Sequence, residues 1–429
     1  MLYKAYEMQR SLLNFSSAWA SIGAEMLSDE RFPPGYFGWG KTSAKALEVF
    51  AHAAAPRGKP LFGIRTIEVD GQRHAVTEAG VIHKPFGDLR RFTHTGLPAD
   101  APSLLIVAPM SGHYATLLRG TVERMLERCV VYITDWADAK LVPQAAGRFD
   151  LDEYIDYLVE YLDHIGPQAN GLGAHMMAVC QPSVPALAAT ALMNAAKHPC
   201  RPATLTMMGG PIDTREAPTE VNDMASERPH VWFKRNMIAT VPMTYPGAGR
   251  LVYPGFVQLF SFMSMNLGSH IESHYGMFKH LVAGDGDGAD ATKAFYEEYR
   301  AVCDMTAEFY LQTVDVVFQT HALPKGEFFH RGVKVDLGKI TDTALLCIEG
   351  ERDDISGIGQ TKAARKVTPN LPEAKKRYLL AEEVGHYGIF NGSKWRQRIA
   401  PVVEDWIAEH GAAKSSQSAR ATSRLKAVN

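Results

Sequence analysis

The sequence is short of cysteine, of long apolar runs and of net charge, and each shortage removes a class of protein. Five cysteines in 429 residues, Cys129, Cys180, Cys200, Cys303 and Cys347, are odd in number and scattered. They make neither a disulfide framework nor the paired spacing of a zinc site, so the thiols are expected to be reduced and no metal is expected. No run approaches the roughly 20 apolar residues of a membrane span. The polar residues within Tyr3-Lys4-Ala5-Tyr6-Glu7-Met8-Gln9-Arg10 interrupt the apolar stretch that a secretory leader needs. A formal net charge of −2 offers no field for nucleic acid. The expectation is a soluble cytoplasmic protein with no nucleic-acid partner, no membrane span and no resident cofactor. At 46% hydrophobic residues the chain is long enough for one enlarged domain or two.

Residues 1–56 place apolar side chains, among them Tyr6, Leu12, Leu13, Trp19, Ile22 and Met26, at helical spacing, broken by Pro33-Pro34-Gly35. This reads as an N-terminal helical segment packing on a larger core. From Phe62 the period changes. Ile64, Ile67 and Val69 precede the turn dipeptide Asp70-Gly71 and a second extended run, an antiparallel opening to a sheet. Strand and helix patterns then alternate. Strands are expected at 103–109, 130–136, 175–179, 204–210, 344–350 and 377–380, with helices at 114–128, 151–165, after Pro182, near 360–367 and at 394–410. That alternation predicts an α/β fold with a mostly parallel, doubly wound sheet, the core spanning 57–210 and 341–410. The residues 211–340 do not continue the alternation and are too apolar for disorder, which predicts an inserted, largely helical lid domain. Within it, 251–267 is crowded with Phe, Tyr and Met, and Phe256, Phe260 and Phe262 are candidates for an apolar mouth. Residues 411–429 read as a flexible tail.

Cys180 follows an apolar strand run and precedes Gln181-Pro182 and a small-residue helix. In the α/β-hydrolase fold the nucleophile stands on such a strand–turn–helix elbow, where the helix N-terminus stabilises a thiolate. The glycines usual two residues to either side are missing, with Ala178 and Pro182 in their places. A buried core thiol is the plain alternative for Cys180 taken alone. The rest of the chain supplies the partners in the order this fold requires. Asp353 and Asp354 lie just beyond the 344–350 strand, and His386 lies between Gly385 and Tyr387-Gly388 after the last strand. The expected catalytic set is Cys180, Asp353 and His386, with Asp353 preferred to Asp354 as the acid that orients the imidazole. A tetrahedral oxyanion needs preorganised donors. The backbone N–H of Gln181 and those of the loop Met110-Ser111-Gly112-His113, Met110 and Ser111 first, are the candidates, although Ser111 and His113 also suit a purely structural role.

Several stretches together resemble the intracellular polyhydroxyalkanoate depolymerases: VAPMSGHYATLLRGTVERML, VYITDWADAKLVP, AVCQPSVP, TMMGGPIDTREAPTEVN, VPMTYPGAGRLVYPGF, EGERDDISGIGQT and GHYGIFNGSKWR. The resemblance covers the chain to about Ile407. It implies an α/β-hydrolase acting in the cytoplasm at storage granules. The implied substrate is poly(3-hydroxybutyrate), cut through a Cys-His-Asp triad that falls on Cys180, His386 and Asp353. A thioester intermediate would then pass its acyl group to water or to coenzyme A as co-substrate. The expected partners are the polyester and the granule surface, and a homo-oligomer is left open. Where that family has histidine in PGHGR, this chain has Ala248. The polymer synthases share the triad logic and stand as the alternative, with a non-catalytic granule-coating protein as the alternative of another class.

Overall fold

The structure, a computed structural model, describes residues 2–29, 38–55, 58–169, 173–265 and 297–411. The tail beyond residue 411 and the side chain of Phe262 lie outside the described residues.

Nine strands form one sheet. In chain order they are β1 (Thr66–Val69), β2 (Gln72–Lys84), β3 (Gly87–His94), β4 (Ser103–Val107), β5 (Val130–Trp136), β6 (His175–Val179) and β7 (Thr204–Met208). After three short strands of the insertion, β8 (Ala239–Thr240), β9 (Leu251–Tyr253) and β10 (Met305–Thr306), and a small hairpin, β11 (Phe329–His330) and β12 (Val333–Lys334), the sheet is completed by β13 (Ala344–Gly350) and β14 (Lys376–Ala381). The spatial order is β1-β2-β3-β5-β4-β6-β7-β13-β14. The first three strands are antiparallel, turned at Asp70-Gly71, where both residues take positive φ. The six from β5 to β14 are parallel. An antiparallel edge, a β5-β4 reversal and an unbroken parallel run make this the α/β-hydrolase topology.

The central strands β4, β6, β7 and β13 are buried along their whole length, as apolar runs covered by helices on both faces must be. Helix α4 (Leu151–Ile165), started by a capping box between Asp150 and Glu153, lays Tyr154, Tyr157, Leu158 and Tyr161 on that sheet. Helix α5 (Ser183–Ala195) is so rich in alanine that it is buried almost all round. Some helices differ from the sequence expectation. The stretch from Tyr114 opens as a 3₁₀ turn, Ala115–Leu118, before α3 (Arg119–Leu126). Near 360–367 only Ala364–Val367 is helical, and the C-terminal helix carries a π-turn at Trp395–Ile399.

Between β7 and β13 the chain leaves the sheet. It forms helices α6 (Glu220–Glu227) and α7 (His230–Asn236), the three-stranded sheet β10-β9-β8, helix α8 (Gly255–Met265) and a further helix at Ala307–Thr313. The N-terminal helices α1 (Leu2–Ser28) and α2 (Gly38–Ala54) lie beside this insertion. Tyr3 reaches into it, its hydroxyl donating to Asp304 Oδ2. The sequence reading put the large apolar residues of α1 against the body, and the structure corrects it. Tyr3, Ser17 and Ala20 are buried, while Leu12, Trp19, Ile22 and Met26 are exposed.

Candidate active site

Cys180 stands at the end of β6 with φ 67°, a left-handed conformation that side-chain-bearing residues adopt only at a cost of about 1–2 kcal/mol. Its N–H donates to Met208 O at 2.7 Å, and its carbonyl accepts from Ser183 N at 3.0 Å, so neighbouring strand and following helix both fix the turn. The missing glycines have a local explanation. Ala178 is an ordinary buried strand residue, and Pro182, with φ −59°, begins α5 in the conformation its ring already dictates. The positive φ falls on the cysteine itself.

Asp353 and His386 come together from two loops stitched side by side. Arg352 N donates to Val384 O at 2.9 Å, and Glu383 N to Glu351 Oε2 at 2.6 Å. Asp353 Oδ1 accepts from Ile355 N and Ser356 N at 2.9 and 2.8 Å, which aims Oδ2 at His386 Nδ1, 2.8 Å away. The other acid of the sequence pair, Asp354, is exposed. A carboxylate accepts only, so Nδ1 of the neutral ring carries the proton and Nε2 is left for Cys180. Burial alone would lower the His386 pKa. The charges of Asp353 and of the Cys180 sulfur, each with a hydrogen bond, outweigh it and hold the imidazole well above its usual range.

The loop 351–362 is braced from beneath. Buried Glu349 accepts from Gly359 N and Lys362 N, both at 2.9 Å, and from Tyr378 Oη at 2.8 Å. Gly209, at φ 58°, runs directly under the pair. A Cβ there would stand 2.7 Å from Ile389, 3.1 Å from Asp353 Oδ2 and 3.1 Å from His386 Cε1. The Gly-Gly of MMGGPID is thus needed by sterics.

A cavity of about 430 Å³ opens over Cys180. Its floor holds the oxyanion candidates Met110, Ser111 and Gln181 beside Cys180 and Gly209, and its walls are largely apolar, with Phe233, Met237, Tyr253, Phe309, Tyr310 and Phe318 from the insertion. The loop that carries Met110 and Ser111 is itself anchored to the insertion. Gly112, at φ 86°, accepts from Cys303 N at 2.8 Å, and a Cβ on it would meet Gln258 Oε1 at 2.7 Å. His113 is fully buried and burial brings its pKa down to about 4, against a backbone hydrogen bond with Tyr299, so it is neutral near pH 7. Its ring lies 5.2 Å from Tyr299, which in turn packs at 5.7 Å on Tyr387, next to the proposed base.

Of the aromatics expected at the mouth, Phe260 lines this cavity, 73% exposed. Phe256 does not. It stacks on Tyr6 at 3.9 Å and meets Tyr3 edge-on at 5.5 Å, on the side of a separate cavity bordered by α1. The sequence reading missed Gly209, Gln258 and most of the wall, whose side chains come from short elements with no period of their own. Among the described residues no helix is long and apolar enough to cross a membrane.

Residues 209–411 match the family model described as PHB de-polymerase C-terminus. No curated protein matches the chain. Among solved structures, a thermophilic esterase from Thermogutta terrifontis with malate bound is 13% identical, the alignment covering 81% of this chain and 98% of that one at a TM-score of 0.40. A meta-cleavage product hydrolase from Pseudomonas fluorescens is 12% identical, covering 80% and 97% at a TM-score of 0.40. Residues 209–411, which carry the insertion, Asp353 and His386, are thus similar to the C-terminal part of the PHB depolymerases, on a chain of α/β-hydrolase topology.

Proposed function

We propose that this protein depolymerises poly(3-hydroxybutyrate) in storage granules by way of a Cys180–His386–Asp353 triad. The observation that carries the reading is the convergence of three features on one sulfur: the Asp353–His386 pair, the strained elbow of Cys180 and a largely apolar cavity. A water-insoluble polyester needs such a cavity to draw one chain segment out of its bulk. His386 Nε2 takes the proton from Cys180 Sγ, and the sulfur attacks an ester carbonyl of the segment. The tetrahedral oxyanion accepts hydrogen bonds from the backbone N–H groups of Gln181, Met110 and Ser111. His386 then protonates the departing alkoxide, leaving a 3-hydroxyacyl thioester on Cys180 and the shortened chain as an alcohol. Water, or the thiol of coenzyme A, is deprotonated by His386 and takes the acyl group, which restores the cysteine.

The test is product release from amorphous poly(3-hydroxybutyrate) granules by the wild type and by Cys180→Ala, with and without coenzyme A. Soluble 3-hydroxybutyrate or its short oligomers are expected from the wild type, with a loss of more than about 10³-fold in the variant. Appearance of 3-hydroxybutyryl-CoA identifies the thiol as acceptor. A wild type that elongates polymer from acyl-CoA points instead to a synthase-like acyltransferase. One that binds granules and releases nothing points to a granule-coating protein.

A further inference from the structure

Helix α1 has two apolar faces. Toward the body it turns Tyr3, Ser17 and Ala20, all buried. Ser17 Oγ donates to Ala51 O of α2 at 2.8 Å, and a Cβ at Gly23 would stand 3.1 Å from Leu47. At about 100° per residue, Met8, Leu12, Phe15, Trp19, Ile22 and Met26 fall on the opposite side. They are 47 to 67% exposed. A surface helix held on one side turns charged residues to water. This one turns six large apolar side chains outward and carries no charge from Ser11 to Ala24.

We propose that a second copy of this chain covers the stripe, the two α1 helices pairing antiparallel about a two-fold axis. The intervals between the six residues are 4, 3, 4, 3 and 4, the alternation of a two-helix seam. A helix lying on a lipid or polymer surface presents a broader apolar face. The intervals also read the same in both directions about position 17. An antiparallel partner therefore sets Met8 against Met26, Leu12 against Ile22 and Phe15 against Trp19, the self-complementarity that a two-fold interface requires. The same direction brings the basic Lys4 of one copy toward the acidic Asp29 of the other, and opposes the two helix dipoles. Covering the six side chains removes about 700 Å² from each copy, roughly 1,400 Å² in all, which is within the range of stable protein interfaces.

Sedimentation of the full-length protein at micromolar concentration reads the assembly. The wild type is expected to be a dimer, and Phe15→Glu combined with Trp19→Glu a monomer with unchanged turnover of a small soluble ester. Equimolar Met8→Cys and Met26→Cys chains oxidised together test the direction, with linked peptides located by mass. A bridge between positions 8 and 26 is expected, and one joining two copies of position 8 overturns the antiparallel arrangement. A monomeric wild type overturns the proposal. If its binding to polyester films is also lost in the doubly substituted chain, the stripe belongs to the polymer surface.

Discussion

At the scale of single residues, the site is governed by positions where a side chain is absent. Gly209 holds a left-handed backbone under the Asp353–His386 pair, and the atoms nearest a Cβ there are those of Ile389 and of that pair. Gly209→Ala adds about 1–2 kcal/mol of backbone strain. It also drives a methyl into the space between carboxylate and imidazole, which must separate by several tenths of an ångström. Catalysis depends on geometry of that order, so kcat should fall roughly 10- to 100-fold while the chain still folds. Steady-state kinetics on a soluble ester, with circular dichroism as the folding control, measures both. Wild-type kcat in the folded variant would remove Gly209 from the support of the pair. Gly112 plays the same part for the loop of Met110 and Ser111, where a Cβ would meet Gln258.

At the scale of elements, Asp304 joins three of them. It accepts from the Tyr3 hydroxyl of α1 and from Gly255 N at the start of α8, at 2.9 Å in the latter, and its own N–H donates to Asp138 Oδ1 at 3.1 Å. Burial pushes its pKa up to about 7, with the Gly255 N–H opposing. Unfolded, the same carboxyl titrates near 3.9. The folded state therefore binds the proton more tightly, and the group's contribution to stability is complete below about pH 4. It falls by on the order of 1 kcal/mol per unit as pH rises to about 7, then levels. Asp304→Asn keeps the shape without the charge. In urea titrations between pH 4 and 8 the wild type should lose ground steadily to the variant up to about pH 7, and a constant difference across that range would refute this. The junction also shows what the sequence makes legible. Period-two and buried-strand runs located the parallel strands and the order Cys180, Asp353, His386, because hydrophobic alternation and strand-end loops are local signals. The facing of α1 and α8 was not legible. Both helices have large apolar residues on more than one side, and composition cannot set the phase of such a helix. Phe256 thus turns to Tyr6, and Gln258 to the loop of Met110 and Ser111.

At the scale of the whole molecule, the insertion is tied to the core by hydrogen bonds on two sides. Gln360 Nε2 donates to Asn222 Oδ1 at 2.8 Å, and Thr219 Oγ1 to Ile355 O at 3.1 Å, tying α6 to the loop of Asp353. The PGAGR stretch holds the other side. Gly247 passes so close to the carbonyls of Ala139, Lys140 and Val142 that a Cβ would lie 2.7 to 2.9 Å from them. Arg250, 6% exposed, donates to the carbonyls of Val142, Pro143 and Gly147 at 3.0, 2.6 and 2.9 Å. The clamp uses Gly247 and Arg250, so Ala248, where the resembling family has histidine, leaves it intact. Removing the guanidinium takes the donor from the carbonyls of Val142 and Gly147 in a buried joint, each costing about 1–3 kcal/mol if water does not reach it, while Pro143 O keeps Ala146 N. Arg250→Ala should lower stability by about 3 kcal/mol in urea, and Arg250→Lys should recover only part, since an ammonium cannot reproduce the planar fork. With the clamp intact, fluorescence of the six tryptophans, Trp232 in the insertion and Trp136, Trp395 and Trp406 in the core among them, should report one transition with far-ultraviolet circular dichroism. In Arg250→Ala the two probes should separate, the insertion loosening first. Coincident transitions and a loss below about 1 kcal/mol would show that the roof over Cys180 is held without this arginine.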